Sequence, residues 1–148
     1  MKRQRGFGAI AAIVVLVILA SLAAAVVSLS STQQLASAQD VQSAKAWQAA
    51  RAGNEWGLYR ALKDGACAAI SGKTLDLTAD TGFHVTVTCS SLPYSEGEDD
   101  ATLQPRPLTV YQLKAVACPV AAGCPANGAA VAGAGYVERT RVVLATDK

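Results

Sequence analysis

Residues 1–29 read "MKRQRGFGAIAAIVVLVILASLAAAVVSL", and the organisation of the whole chain follows from this stretch. Lys2, Arg3 and Arg5 come first. No charged residue then occurs from Gly6 to Gln39, and the run from Phe7 to Leu29 is almost wholly apolar. As a helix rising about 1.5 Å per residue, that run is roughly 35 Å long, against a bilayer core of about 30 Å. It is long enough to span. Basic residues on its N-terminal side obey the positive-inside rule, which places the N-terminus in the cytoplasm and everything after Leu29 on the other side of the membrane.

The remaining composition narrows the class. Of the 13 Lys and Arg residues three precede the apolar run, leaving 10 against 11 Asp and Glu, so the rest of the chain is close to neutral. Phosphate binding needs a basic patch, and none is present; the clearest charge cluster is the acidic "EGEDD" at residues 96–100. Nucleic acid is therefore not an expected partner. Catalytic signatures are also missing. There is no Gly-x-Ser-x-Gly, no His-Glu-x-x-His and no phosphate-binding glycine loop, and His84 is the single histidine. The chain reads as a non-enzyme without a cofactor. Glu96, Glu98, Asp99 and Asp100 are the one candidate set for calcium, although they lack the spacing of an EF-hand loop.

Beyond Leu29 the run becomes amphipathic without a turn signal, and no proline occurs before Pro93. Ala49, Ala52, Trp56, Tyr59 and Leu62 recur at three- and four-residue steps, predicting one apolar helical face. Small residues form stripes of their own. Ala20, Ala24 and Ser28 lie in the apolar half, and Ala49, Gly53, Gly57 and Ala61 in the amphipathic half. Glycine costs about 1 kcal/mol relative to alanine in a helix, so the second stripe calls for a close contact that offsets the cost. Lys63-Asp64-Gly65 supplies the stop signal.

From there the period changes from 3.6 to 2. "FHVTVTC" at residues 83–89 alternates, with His84 on the polar face, and "LTVYQLKAVAC" and "YVERTRVVLAT" are further strand candidates. A proline-bearing segment, "SSLPYSEGEDDATLQPRPL", reads as the loop between the first two; a Gly/Ala-rich one, "PVAAGCPANGAAVAGAG", separates the last two. The expected fold is α+β: one long N-terminal helix with a membrane-spanning first half, packed against an antiparallel sheet of about three strands. Its divisions are a leader at 1–6, an apolar helix at 7–29, an amphipathic extension at 30–62 and a head at 63–148. Cys67, Cys89, Cys118 and Cys124 all lie in that head, and an even count in a small translocated region predicts two disulfides. Three pairings are open. Joining nearest neighbours, Cys67 with Cys89 and Cys118 with Cys124, is preferred, and the larger loop would contribute about 3 kcal/mol in the chain-entropy account.

An N-terminal segment of this kind has three readings. A cleaved secretory signal would use Ala23-Ala24-Ala25 or Ala36-Ser37-Ala38, but typical signal apolar regions end well before Leu29. A plain uncleaved anchor is the second. In the third, the basic leader ending in Gly6 just before Phe7 resembles the type IV prepilin signal. That resemblance implies cleavage between Gly6 and Phe7 by a membrane prepilin peptidase, and N-methylation of Phe7. The order "KRQRGF", "AARAGNEWGLYRAL", "FHVTVTC", "VYQLKAVAC" and "GYVERTRVVL" further resembles the MshP proteins of mannose-sensitive haemagglutinin (MSHA) pilus biogenesis. It implies a minor pilin-like subunit that enters the inner membrane with a periplasmic head, and whose partners are other pilin subunits and the pilus assembly machinery. Two alternatives stand beside it: a type II secretion pseudopilin, and a secreted or anchored periplasmic domain with a binding role.

One departure from the family pattern is informative. In most type IV pilins the fifth mature residue is a glutamate, thought to neutralise a neighbouring subunit's terminal amine inside the apolar filament core; here that place is held by Ala11. A subunit at the filament tip has no subunit above it to dock against. The resemblance therefore implies a position at or near the tip and a role in starting assembly.

Overall fold

The computed structural model describes residues 7–133 and 135–147, which fall into two compact units, Met1–Asp40 and Val41–Lys148. Helix α1 runs Phe7–Asp64. Within the first unit every described side chain is exposed, including Ile10, Leu16, Leu19 and Val27. An apolar, charge-free helical stretch of this length meets the requirement for crossing a membrane by length and composition.

The second unit holds the end of α1, a short helix α2 (Cys67–Ile70), and strands β1 (Lys73–Leu77), β2 (Phe83–Glu98), β3 (Pro105–Cys118) and β4 (Arg139–Thr146). The sheet is antiparallel throughout, in the order β1-β2-β3-β4. The α+β architecture of a long helix packed on an antiparallel sheet is what the residue patterns dictate, with four strands rather than about three. β1 is the addition. It pairs Leu75 with Val85 and Leu77 with Phe83 on the face turned to the helix.

The chain leaves α1 at Gly65, whose φ of 61° is the left-handed conformation that glycine adopts without a Cβ clash. There the Ala66 N–H reaches back to the Arg60 carbonyl at 3.1 Å. Burial follows on one side of the helix only. Ala46, Ala49 and Ala50 are buried with Gly53 and Gly57 against Phe83, Val85, Val87, Leu113, Ala115 and Ala117, and Ala61 is buried further along the helix. This corrects the expected apolar face, since Ala52, Tyr59 and Leu62 are exposed and Trp56 is half-buried. Small side chains won the contact because they let the helix approach the sheet most closely. A Cβ built at Gly53 would lie 2.5 Å from Val85 Cγ1, and one at Gly57 2.5 Å from Leu113 Cδ2.

A second correction concerns residues 90–108, expected as a loop. β2 and β3 continue as a paired arm through Ser95 opposite Pro107, reaching an irregularity between Ser95 and Glu98. The prolines do not break it because of where they fall. Pro93, Pro105 and Pro107 are all odd-numbered, and the odd positions of these two strands turn their backbone away from the β2–β3 ladder. Each missing N–H thus lies on an open side, where proline is tolerated.

Candidate assembly surfaces

The residues expected to direct processing and assembly sit at the start of the chain. Gly6, on which the expected cleavage depends, lies outside the described residues, and so does the side chain of Phe7, the first residue of α1. Ala11 is exposed on α1 within an apolar, uncharged surface. A methyl group there carries neither charge nor hydrogen-bonding capacity, so nothing at this level of the helix can neutralise a buried amine.

In the head, the four cysteines form two disulfides, Cys67–Cys89 and Cys118–Cys124, with Cα atoms 5.3 and 5.7 Å apart. The first ties α2 to β2 and closes the turn beneath the end of α1. The second closes the loop that follows β3. That loop folds over the outer face of the sheet, where Cys124 N–H donates to Thr86 Oγ1 at 2.7 Å and Thr86 Oγ1 lies 3.0 Å from Thr74 Oγ1. It forms a small second core with Val116, Val120, Ala126 and Tyr136. Glu138 locks the far side, accepting from Tyr136 Oη at 2.6 Å and from the Ala126 N–H at 3.3 Å. Partial burial, then the Glu138 carboxylate, raises the Tyr136 hydroxyl above the ordinary tyrosine value. His84 is half-buried on this face, with Nδ1 3.7 Å from Asp76 Oδ1, rather than freely solvated as its place in the alternation suggests.

The acidic candidates stand at the tip of the β2–β3 arm. Asp99 Oδ1 accepts from the backbone N–H groups of Ala101 and Thr102, both at 3.0 Å, and from Thr102 Oγ1. Those bonds, the Ala101 N–H first, hold its carboxyl below the ordinary aspartate value. The carboxylate caps its own turn. No group of three or more His, Cys, Asp or Glu side chains placed to hold a metal occurs among the described residues.

Between β4 and α1 lies a set of contacts that the sequence did not announce. Arg141 stacks its guanidinium 5.3 Å from the Trp47 ring centroid, Arg139 bonds Ser43 Oγ, and Asn54 Nδ2 donates to the Arg141 carbonyl at 3.2 Å. Asn54 is buried, and its Oδ1 has no partner among the described residues. Its only sequence signal is position: a polar residue next to Gly53, inside a stripe of small ones. The arginine–tryptophan pair spans a separation of 94 residues and carries no local signal. These contacts fasten the edge strand to the helix, so the head does not depend on its disulfides alone.

Comparison with known proteins yields no matching family model, no matching curated protein and no matching solved structure. The residues themselves carry the functional argument.

Proposed function

We propose that this chain is a minor pilin-like structural subunit of a type IV, MSHA-like pilus. The observation that carries the reading is the division of labour along α1: an apolar, uncharged, exposed first part, then a small-residue face that holds a disulfide-braced sheet. Such a helix serves as a membrane anchor before assembly and as filament core after it, because the same apolar surface is buried by lipid in one state and by neighbouring helices in the other. The N-terminus is cytoplasmic and the head periplasmic. Prepilin peptidase cuts between Gly6 and Phe7, and the assembly machinery draws the subunit out of the inner membrane. Ala11 supports a position at or near the tip, where the subunit helps start the filament.

The reading is tested by immunogold labelling of sheared pili together with pilus counts in a deletion strain. Label at filament ends and a reduced count are expected. Label spread evenly along the shafts, or an unchanged count, removes the tip assignment, and absence from pili removes the pilus itself. In that last case recovery with a type II secretion complex would move the chain to the pseudopilin class.

A further inference from the structure

The open side of the β3 arm and the edge of β4 are not equally guarded. Pro105 and Pro107 remove the donors along the exposed side of the β3 arm, and Asp147 covers its start, taking the Thr109 N–H on Oδ1 at 3.0 Å and donating its own N–H to the Thr109 carbonyl at 3.3 Å. β4 has no proline, lysine or bulge. Two of its outer-face residues, Val142 and Leu144, are 49% and 70% exposed.

Backbone direction follows from the ladder. Continuing the β3–β4 register pairs Thr109 with Asp147, and the bond between them marks the odd-numbered pairs as hydrogen-bonded. Even-numbered residues of β4 therefore turn their N–H and C=O groups to the open edge. Alternation carried across β3 and β2 makes Thr74 and Asp76 the outward residues of β1. All of these even-numbered residues share the sheet's outer face.

We propose that the open edge of β4 pairs, antiparallel, with the β1 edge of a second copy of this chain held in the same orientation, so that the two sheets continue as one. The same-orientation condition rests on the filament reading above, since subunits anchored in one membrane cannot be turned over. With four antiparallel strands, β1 and β4 run in opposite directions, so two copies in one orientation present edges already antiparallel to each other. Because the outward groups of both edges belong to outer-face residues, the join leaves both helices on the same side. Arg139 and Arg141 stay on the helix face, where they meet Ser43 and Trp47, so the join rests on the backbone groups of the two edges. A contact of this kind joins two different surfaces, so a pair of copies leaves one β1 edge and one β4 edge open.

The test uses the full chain in its native membrane, with a photoreactive amino acid at Val142. An adduct of twice the chain's mass, whose linked peptide maps to residues 73–77 of a second copy, is expected. Val142→Pro, which removes only an outward-facing N–H, should leave the melting temperature close to that of the parent while lowering adduct formation from a probe at Leu144 by about tenfold. Adducts joining β4 to β4, no adduct between copies, or a proline variant that folds and cross-links as well as the parent would each overturn the proposal. Pili are sheared and probed for the chain in parallel. Recovery in pili without the β4–β1 adduct overturns the edge contact and leaves the filament reading intact; the adduct without recovery in pili supports the contact and removes the filament reading.

Discussion

Substituting Gly53 and Gly57 by alanine sets two known effects against each other. On helix propensity alone each change is stabilising, by about 1 kcal/mol. The structure opposes it. A Cβ at Gly53 would meet Val85 Cγ1 at 2.5 Å and Ala115 Cβ at 3.3 Å; one at Gly57 would meet Leu113 Cδ2 at 2.5 Å and Val87 Cγ1 at 3.0 Å. Val85, Val87 and Leu113 are fully buried, and the valines are held near one rotamer by their branching, so neither side yields freely. Overpacking of this kind costs about 1–3 kcal/mol. With contacts this short the upper half of that range applies, leaving a net loss of about 1–2 kcal/mol per site. For a unit of this size each substitution should lower the melting temperature by roughly 5–10 °C. Thermal unfolding followed by circular dichroism, on the full chain in detergent with disulfides intact, reads this directly. Ala52→Gly, at an exposed position of the same helix, calibrates the propensity term. A Gly53→Ala variant as stable as the parent, or more stable, would refute the claim that the glycine stripe exists for the sheet.

Other outcomes follow from the same geometry. Removing Cys67–Cys89 by serine substitution should cost about 3 kcal/mol and removing Cys118–Cys124 about 2, because the closed loops differ in length; equal or inverted losses in denaturant titrations would contradict the assignment of roles. The Asp99 carboxyl is held below its ordinary value of 3.8, so the unfolded chain binds its proton first as pH falls. Its stabilisation of the arm tip is present above that ordinary value and is lost as pH drops through the lowered one. Asp99→Asn should flatten this acid-side dependence in amide exchange of residues 99–104, and an unchanged profile would show that the turn is held otherwise. A bulky residue in place of Gly6 should leave an unprocessed precursor in the inner membrane, visible by immunoblot; normal processing would point to a different cleavage site.

Much of the fold was legible because its signals are long. An uncharged apolar run and the alternation of "FHVTVTC" each extend over enough residues to overrule local noise, and Gly65 marks the stop between them. β1 escaped notice because "KTLDL" has five residues, two of them charged, and only Leu75 and Leu77 to mark its inner face. The arm does not show in the sequence because prolines signal breaks, whereas their effect depends on which way the missing N–H points, and only the register tells that. Trp56, Tyr59 and Leu62 suggest a helix face that the fold does not use. Size indicates hydrophobicity, but closeness of approach belongs to Gly53, Gly57 and the alanines. For the site, the cysteines were visible as a set, while Arg141 on Trp47 and Asn54 on the Arg141 carbonyl depend on tertiary placement alone.

The central claim, a subunit built on a processed N-terminal helix with a disulfide-braced head, is tested most directly by the intact mass of the mature protein under non-reducing conditions. The account predicts a chain that begins at Phe7, carries one added methyl group and lacks the four hydrogens lost in forming Cys67–Cys89 and Cys118–Cys124. A mass corresponding to a start at Val26 or Gln39, as signal-peptidase cleavage after Ala25 or Ala38 would give, or to the uncut chain from Met1, would contradict it.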